Sequence, residues 1–75
     1  MTRVLVTGAT GWLGGHALRA LMALPDVEPI AACRTPERLP GEFHGEVRPG
    51  DLRDPAYRDQ VVRGVDAVLH AGTWG

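Results

Sequence analysis

Three glycines at a fixed spacing, Gly8-x-x-Gly11-x-x-Gly14, constrain this chain more than any other feature of it. They fall where the hydrophobic period changes. Arg3 to Thr7 is a short β-branched apolar run broken at Gly8, which reads as a strand. Beyond the glycines, Leu13, Ala17, Ala20, Leu21 and Leu24 recur at steps of four, three, one and three. That reads as one apolar stripe of a helix, with His16 at its edge and Arg19 off it. Thr10 is the expected N-cap, its hydroxyl accepting from a first-turn amide, and Pro25-Asp26 ends the helix. A glycine turn in this context lets the backbone approach a pyrophosphate, with the Trp12 and Leu13 amides aimed at the anion along the positive end of the helix dipole. Gly14 permits tight packing of helix on strand. Trp12 is expected to pack while lending its amide. The plainer alternative is a strand-to-helix turn that is simply rich in glycine.

The rest of the chain continues the alternation. Pro29 to Arg34 is a second apolar run, consistent with a buried parallel strand. Thr35 to Gly45 contains two prolines and two glycines, which allows at most one helical turn, at Pro36 to Leu39. Glu46 to Arg48 predicts a brief third strand. Asp54-Pro55 reads as an N-cap followed by proline at the first helical position, Tyr57 and Val61 form an i,i+4 apolar pair, and Gly64 sits where a C-terminal cap belongs. Val65 to Ala71 predicts a fourth strand. Strand, helix, strand, loop, strand, helix, strand implies right-handed crossovers and an α/β fold, the N-terminal part of a Rossmann-type doubly wound parallel sheet in the order 3-2-1-4. Ligands bind such a sheet at the switch between its first and fourth strands, beside Gly8. Seventy-five residues allow one small domain and no second one. Strand-forming residues start two positions after Met1, so Met1 is expected to be a true beginning.

Composition removes several functions. Eight arginines against nine acids give a net charge of −1, with no basic footprint for nucleic acid and no polybasic membrane signal. The single Cys33 cannot close an intrachain disulfide, and Val4-Leu5-Val6 is too short for a signal peptide or a membrane span, so a cytoplasmic, soluble chain is expected. There is no Lys, Ser or Asn, which excludes a P-loop and any serine nucleophile within these residues. His16, His44, His70 and Cys33 are scattered singly without metal-ligand spacing, so no metal is expected, and His70 in its apolar strand reads as structural.

Val4-Leu5-Val6-Thr7-Gly8-Ala9-Thr10-Gly11-Trp12-Leu13-Gly14 resembles the N-terminal fingerprint of the extended short-chain dehydrogenases/reductases, which include NAD(P)-dependent epimerases, dehydratases and dihydroflavonol-reductase-like enzymes. Two further segments agree. Gly50-Asp51-Leu52-Arg53-Asp54 resembles the segment after the third strand, whose Asp-Leu pair the resemblance places on the adenine ring. Gly64 to Gly72 resembles the fourth strand, which passes under the cofactor; Ala71 and Gly72 depart mildly from the commoner Ala-Ala ending but keep that strand end small. The resemblance implies cofactor contacts from Gly8, Thr10, Gly11, Trp12, Leu13, Gly14, Asp51, Leu52, Ala71 and Gly72, with Thr73 a further candidate. Asp51 has a competing role as a turn cap through its own backbone.

Cofactor choice turns on the end of the second strand. An NAD site places an acid there for the ribose 2′-hydroxyl, whereas an arginine suits a 2′-phosphate. This chain reads Cys33-Arg34-Thr35 with no acid before Glu37, so Arg34, with help from Arg38, points to NADP, and NAD is the alternative. The missing acid also argues against a methyltransferase. The family's Tyr-x-x-x-Lys pair is absent, because the one tyrosine, Tyr57, is followed four positions later by Val61. No catalytic residue is therefore expected in this chain. It is expected to be the N-terminal portion of a longer enzyme, its substrate held by downstream residues, or else a dinucleotide-sensing module without turnover.

Overall fold

A computed structural model describes residues 1–71. Its first strand, β1 (Thr2–Thr7), is the centre of the sheet, because its apolar side chains are buried on both faces. Leu5 points to one side and Val6 to the other, and both are fully buried. β2 (Val27–Cys33) lies parallel to β1, with Leu5 opposite Ile30, and divides the same way: Ile30 and Ala32 on one face, Ala31 and Cys33 on the other. Burial on both faces explains why these strands read as continuous apolar runs rather than alternating ones.

β3 (Glu46–Pro49) pairs with β2 from Ile30 to Cys33, and β4 (Ala67–His70) pairs with β1 from Val4 to Thr7. All pairings are parallel and the order is β3-β2-β1-β4, as the alternation predicts. β2 begins two residues earlier than expected. Pro29 is accommodated there because β3 does not yet flank that part of the strand. β4 is shorter than the predicted Val65 to Ala71. Val65 turns into the core beside Tyr57, and Asp66 is taken by β1, its amide donating to the Arg3 carbonyl at 2.8 Å and its carboxylate accepting from the Arg3 amide at 2.8 Å.

Helix α1 (Trp12–Met22) covers one face and α2 (Pro55–Val61) the other. α2 starts as its sequence requires: Asp54 caps it by accepting from the Ala56 amide at 3.0 Å, and Pro55 occupies the first turn. Tyr57 and Val61 both enter the core, and Gly64 takes φ +71° in the turn beyond. A single 3-10 turn spans Pro36–Arg38.

The buried face of α1 corrects the predicted stripe. Gly14, Gly15 and Leu18 are buried and Ala17 and Leu21 join the core, whereas Leu13 and Leu24 are about half exposed and Ala20 is exposed. The reason is steric. Gly14 lets the helix backbone press against the loop after β1, the helix rotates to bring Gly14 and Gly15 inward, and a count of apolar side chains misses that contact. At the opposite end of the sheet Arg3 bonds Glu28 at 2.6 Å, Glu46 at 2.7 Å and the Gly64 carbonyl at 2.9 Å, tying β1 to β2, β3 and the α2–β4 turn. These groups are partly exposed, so they fix register more than they add stability.

The rotated helix face is testable. Leu18→Ala should destabilise the chain by about 2–5 kcal/mol, while Leu24→Ala should stay within about 0.5 kcal/mol. Urea unfolding of both variants distinguishes this face from the one centred on Leu13, Ala20 and Leu24, for which the ranking reverses.

Candidate functional site

The site begins where β1 stops. Gly8 has φ +66°, a left-handed conformation that favours glycine, and it reverses the chain so that the Gly11 amide donates back to its carbonyl at 3.1 Å. Ala9, between them, is fully buried, and its amide donates to the Ala32 carbonyl at 3.4 Å, which fastens the loop to β2. Sequence reasoning missed this anchor because an alanine between glycines carries no signal of burial.

Gly11, not Thr10, is the N-cap of α1. The Gly8–Gly11 turn carries the chain one residue further before the helix begins, and no side-chain hydroxyl caps it. Its φ of −78° and ψ of 172° are extended. The first intrahelical bond runs from the Gly15 amide to the Gly11 carbonyl at 2.9 Å, so the Trp12, Leu13 and Gly14 amides have no carbonyl a turn earlier to receive them. The first turn also contains no acidic residue. The positive end of the helix is thus left without the carboxylate or hydroxyl that usually compensates it, and an anion would fill that role.

Gly14 fixes the approach of α1. A Cβ there would overlap the Gly8 carbonyl oxygen and lie 2.8 Å from the Ala9 Cα. A Cβ on Gly11 would meet only the Gly8 carbonyl oxygen, at 3.4 Å, so that side of the loop is open. Trp12 departs from expectation. It is 80% exposed and touches the His16 ring edge-on, 4.6 Å between centroids, because its position faces away from the sheet.

The other predicted residues gather at the same ends of the parallel strands. Cys33 is buried, and burial pushes its thiol above the usual range. The Gly50 amide donates to the Cys33 carbonyl at 2.9 Å, which sets the β3 end beside the β2 end. Arg34 is exposed, and among the described residues neither its side chain nor that of Arg38 has a hydrogen-bond or ion-pair partner. Arg38 faces the glycine loop across an open groove of about 240 Å³, lined also by Thr10, Gly11, Trp12, His16 and Arg19. Arg19 is already paired with Glu42.

Asp51 sits in the turn after β3. It accepts from the Arg53 amide at 2.9 Å and from the Arg53 guanidinium at 2.7 and 3.1 Å, and the Arg53 bonds, then the more distant charge of Arg34, hold its carboxyl down at about 2. Leu52 is half-buried against the core cluster that contains Val61. On the other side of β1, Ala71 is buried and its amide donates to the Thr7 carbonyl at 3.1 Å. His70, beside it, pairs its ring nitrogen with the Thr7 hydroxyl across the β1–β4 register. Gly72 and Thr73 lie outside the described residues. No cluster of side chains among the described residues could hold a metal ion, and no helix among them is long and apolar enough to cross a membrane.

Comparison with known proteins agrees with this geometry. A family model described as NAD(P)H-binding matches residues 8–75. The PKS-NRPS hybrid synthetase cheA of Chaetomium globosum is 38% identical over 92% of this chain, which spans only 2% of that protein. A Rossmann-fold NAD(P)-binding family protein from Shigella flexneri superposes with a TM-score of 0.89 at 24% identity, over 99% of this chain and 39% of its own. A short-chain dehydrogenase/reductase superfamily protein from Agrobacterium tumefaciens, with bound NAD, superposes with a TM-score of 0.77 at 29% identity, over 97% of this chain and 21% of its own.

Two adjacent glycines of α1 should respond oppositely to alanine. Gly14→Ala forces the helix from the loop and should cost about 1–3 kcal/mol or more, despite the better helix propensity of alanine. At Gly15 a Cβ would make ordinary contacts, 3.6 Å from Pro40, so Gly15→Ala should stabilise. The expected gain is up to about 1 kcal/mol. Thermal unfolding of the two variants reads the difference; equal effects would show that Gly14 does not set the helix position.

Proposed function

The chain belongs to the NAD(P)H-binding family, and we propose that it is the dinucleotide-binding N-terminal part of an NADP-preferring oxidoreductase, epimerase or dehydratase of the extended short-chain dehydrogenase type. The observation that carries this reading is the helix α1 N-terminus, without a side-chain cap or first-turn acid and set on a glycine loop beside the switch point between β1 and β4. A pyrophosphate suits it. It would accept from the Trp12 and Leu13 amides, with Gly8, Thr10 and Gly11 giving the backbone close approach and Gly14 holding the helix in place.

The ends of the other strands would hold the remainder of the cofactor. Arg34, unpaired and exposed at the end of β2, suits a ribose 2′-phosphate, and Arg38 across the groove can add to it. Asp51 and Leu52 would flank the adenine, and Ala71 and Gly72 are small enough to let the sheet end approach the cofactor. When bound, the nicotinamide supplies hydride transfer. This chain's own residues bind and orient it; they include no Lys and so no Tyr-x-x-x-Lys pair. The proton-transfer chemistry and the substrate contacts belong to other residues of a longer protein. The lone buried Cys33 fits the reducing cytoplasm as its location.

A second reading, a dinucleotide sensor that does not turn its ligand over, rests on that same missing pair. Both readings require binding, and calorimetry tests it. The full-length protein should bind NADPH more tightly than NADH. Arg34→Ala should weaken NADPH by about 1.5–3 kcal/mol while leaving NADH nearly unchanged. Equal loss for both cofactors would remove the preference for NADP, and wild-type protein that binds neither would remove the function.

A further inference from the structure

One wall of the groove beside the glycine loop is built from residues outside every motif in the sequence. Arg19 lies on α1 about two turns beyond Gly11, and like other helical side chains it leans back toward the helix start. Its Nη1 rests over Gly15, 3.8 Å from the position a Cβ on Gly15 would take. Among the described residues Nε alone of its side-chain nitrogens has a partner, the Glu42 carboxylate, and that bond holds the Glu42 carboxyl below its usual range. Both Nη atoms are left without an acceptor. The two side chains are half-exposed, so their pairing adds little to folding, and its effect is to orient the guanidinium.

The opposite wall is held as firmly. The turn Pro36–Arg38 leads into Leu39, which packs against the core, and Pro40 follows over Gly15, its Cγ 3.6 Å from that same Cβ position. The Phe43 amide donates to the Pro40 carbonyl at 3.0 Å and Phe43 joins the core, so Glu42 sits in a turn anchored at both ends. Arg19 and Arg38 both line the groove beside Gly11, about 240 Å³ of open space, and no acidic side chain among the described residues lines it with them. Two guanidinium groups sharing one such space repel each other until an anion enters between them.

We propose that Arg19 is a specificity-determining residue for NADP, its Nη atoms donating to the ribose 2′-phosphate while Glu42 keeps hold of Nε and Arg38 donates from the opposite wall. This rests on the dinucleotide reading and on its preference for NADP. Gly15 lies about 6 Å along the helix axis from Gly11. A pyrophosphate on the first-turn amides and a phosphate beside Arg19 are then one sugar ring apart, as the 5′- and 2′-phosphates of a single ribose are. A phosphate monoester presents three acceptor oxygens, which suffice for both guanidinium groups at once. NADH carries a hydroxyl there, with neither the charge nor the acceptors, so its affinity does not depend on Arg19.

The test is calorimetric titration of the full-length protein with NADPH and with NADH. Wild type should favour NADPH. Arg19→Ala should cut that preference about three- to tenfold, through NADPH alone and with the melting temperature nearly unchanged. Arg19→Lys should recover only part of it, because one ammonium must then serve both Glu42 and the phosphate. If Arg19→Ala keeps the wild-type ratio while Arg34→Ala lowers it, the end of β2 holds the 2′-phosphate without α1 and the proposal falls. Equal weakening of both cofactors by Arg19→Ala would place its effect in the helix rather than on the 2′-phosphate, which also overturns the proposal. Full recovery with lysine would show that charge alone suffices and would remove the role given to the guanidinium fork. Wild-type protein that binds both cofactors equally overturns the NADP reading instead, and one that binds neither overturns the dinucleotide reading itself.

Discussion

The backbone of α1 presses tightly on the loop after β1, and much else depends on that approach. Gly14 lies so near the Gly8 carbonyl that no side chain fits between them. That contact sets the rotation of α1 and brings Leu18, rather than Leu13 or Leu24, into the core. It also places the helix N-terminus directly over the C-terminal end of the sheet. Gly8, in its left-handed conformation, makes the turn that allows it, and Ala9 anchors the turn to β2. A small alteration here would move the packing and the site together, because the same few atoms serve both.

Electrostatics then separates the two ends of the sheet. At the end bearing Arg3, charges are matched: Arg3 engages Glu28 and Glu46, and Arg48 engages Glu46, whose carboxyl is held below its usual range chiefly by the Arg48 bond. At the glycine-loop end the helix terminus has no cap from a side chain, and Arg34 and Arg38 have no partner among the described residues. Arginine side chains without a partner beside an uncapped helix start are what an anionic ligand needs from its site.

The fold was readable because its strongest signals are local. Short apolar runs separated by glycine, proline and a capping aspartate specify alternating strands and helices, and handedness then dictates the order β3-β2-β1-β4. Asp54 and Gly64 behave as their chemistry requires. What stayed hidden depends on contacts rather than composition. The helix face was misjudged because a buried glycine contributes no hydrophobicity. Thr10 looked like a cap because the extra residue of the Gly8–Gly11 turn is a backbone matter. Trp12 looked like a packing residue, yet the same rotation that buries Gly14 and Gly15 turns it outward. Arg53 two positions after Asp51 is visible in the sequence, but only the geometry shows three donors converging on one carboxylate.

The central claim is that the uncapped start of α1 receives the phosphates of a dinucleotide. The most direct measurement is an amide chemical-shift titration of the isotopically labelled protein with NADPH. The account predicts that the Trp12, Leu13 and Gly14 amides move most, with the Arg34 and Asp51 turns following and the Arg3 end of the sheet unchanged. Saturating NADPH that leaves Trp12 to Gly14 unmoved would contradict it.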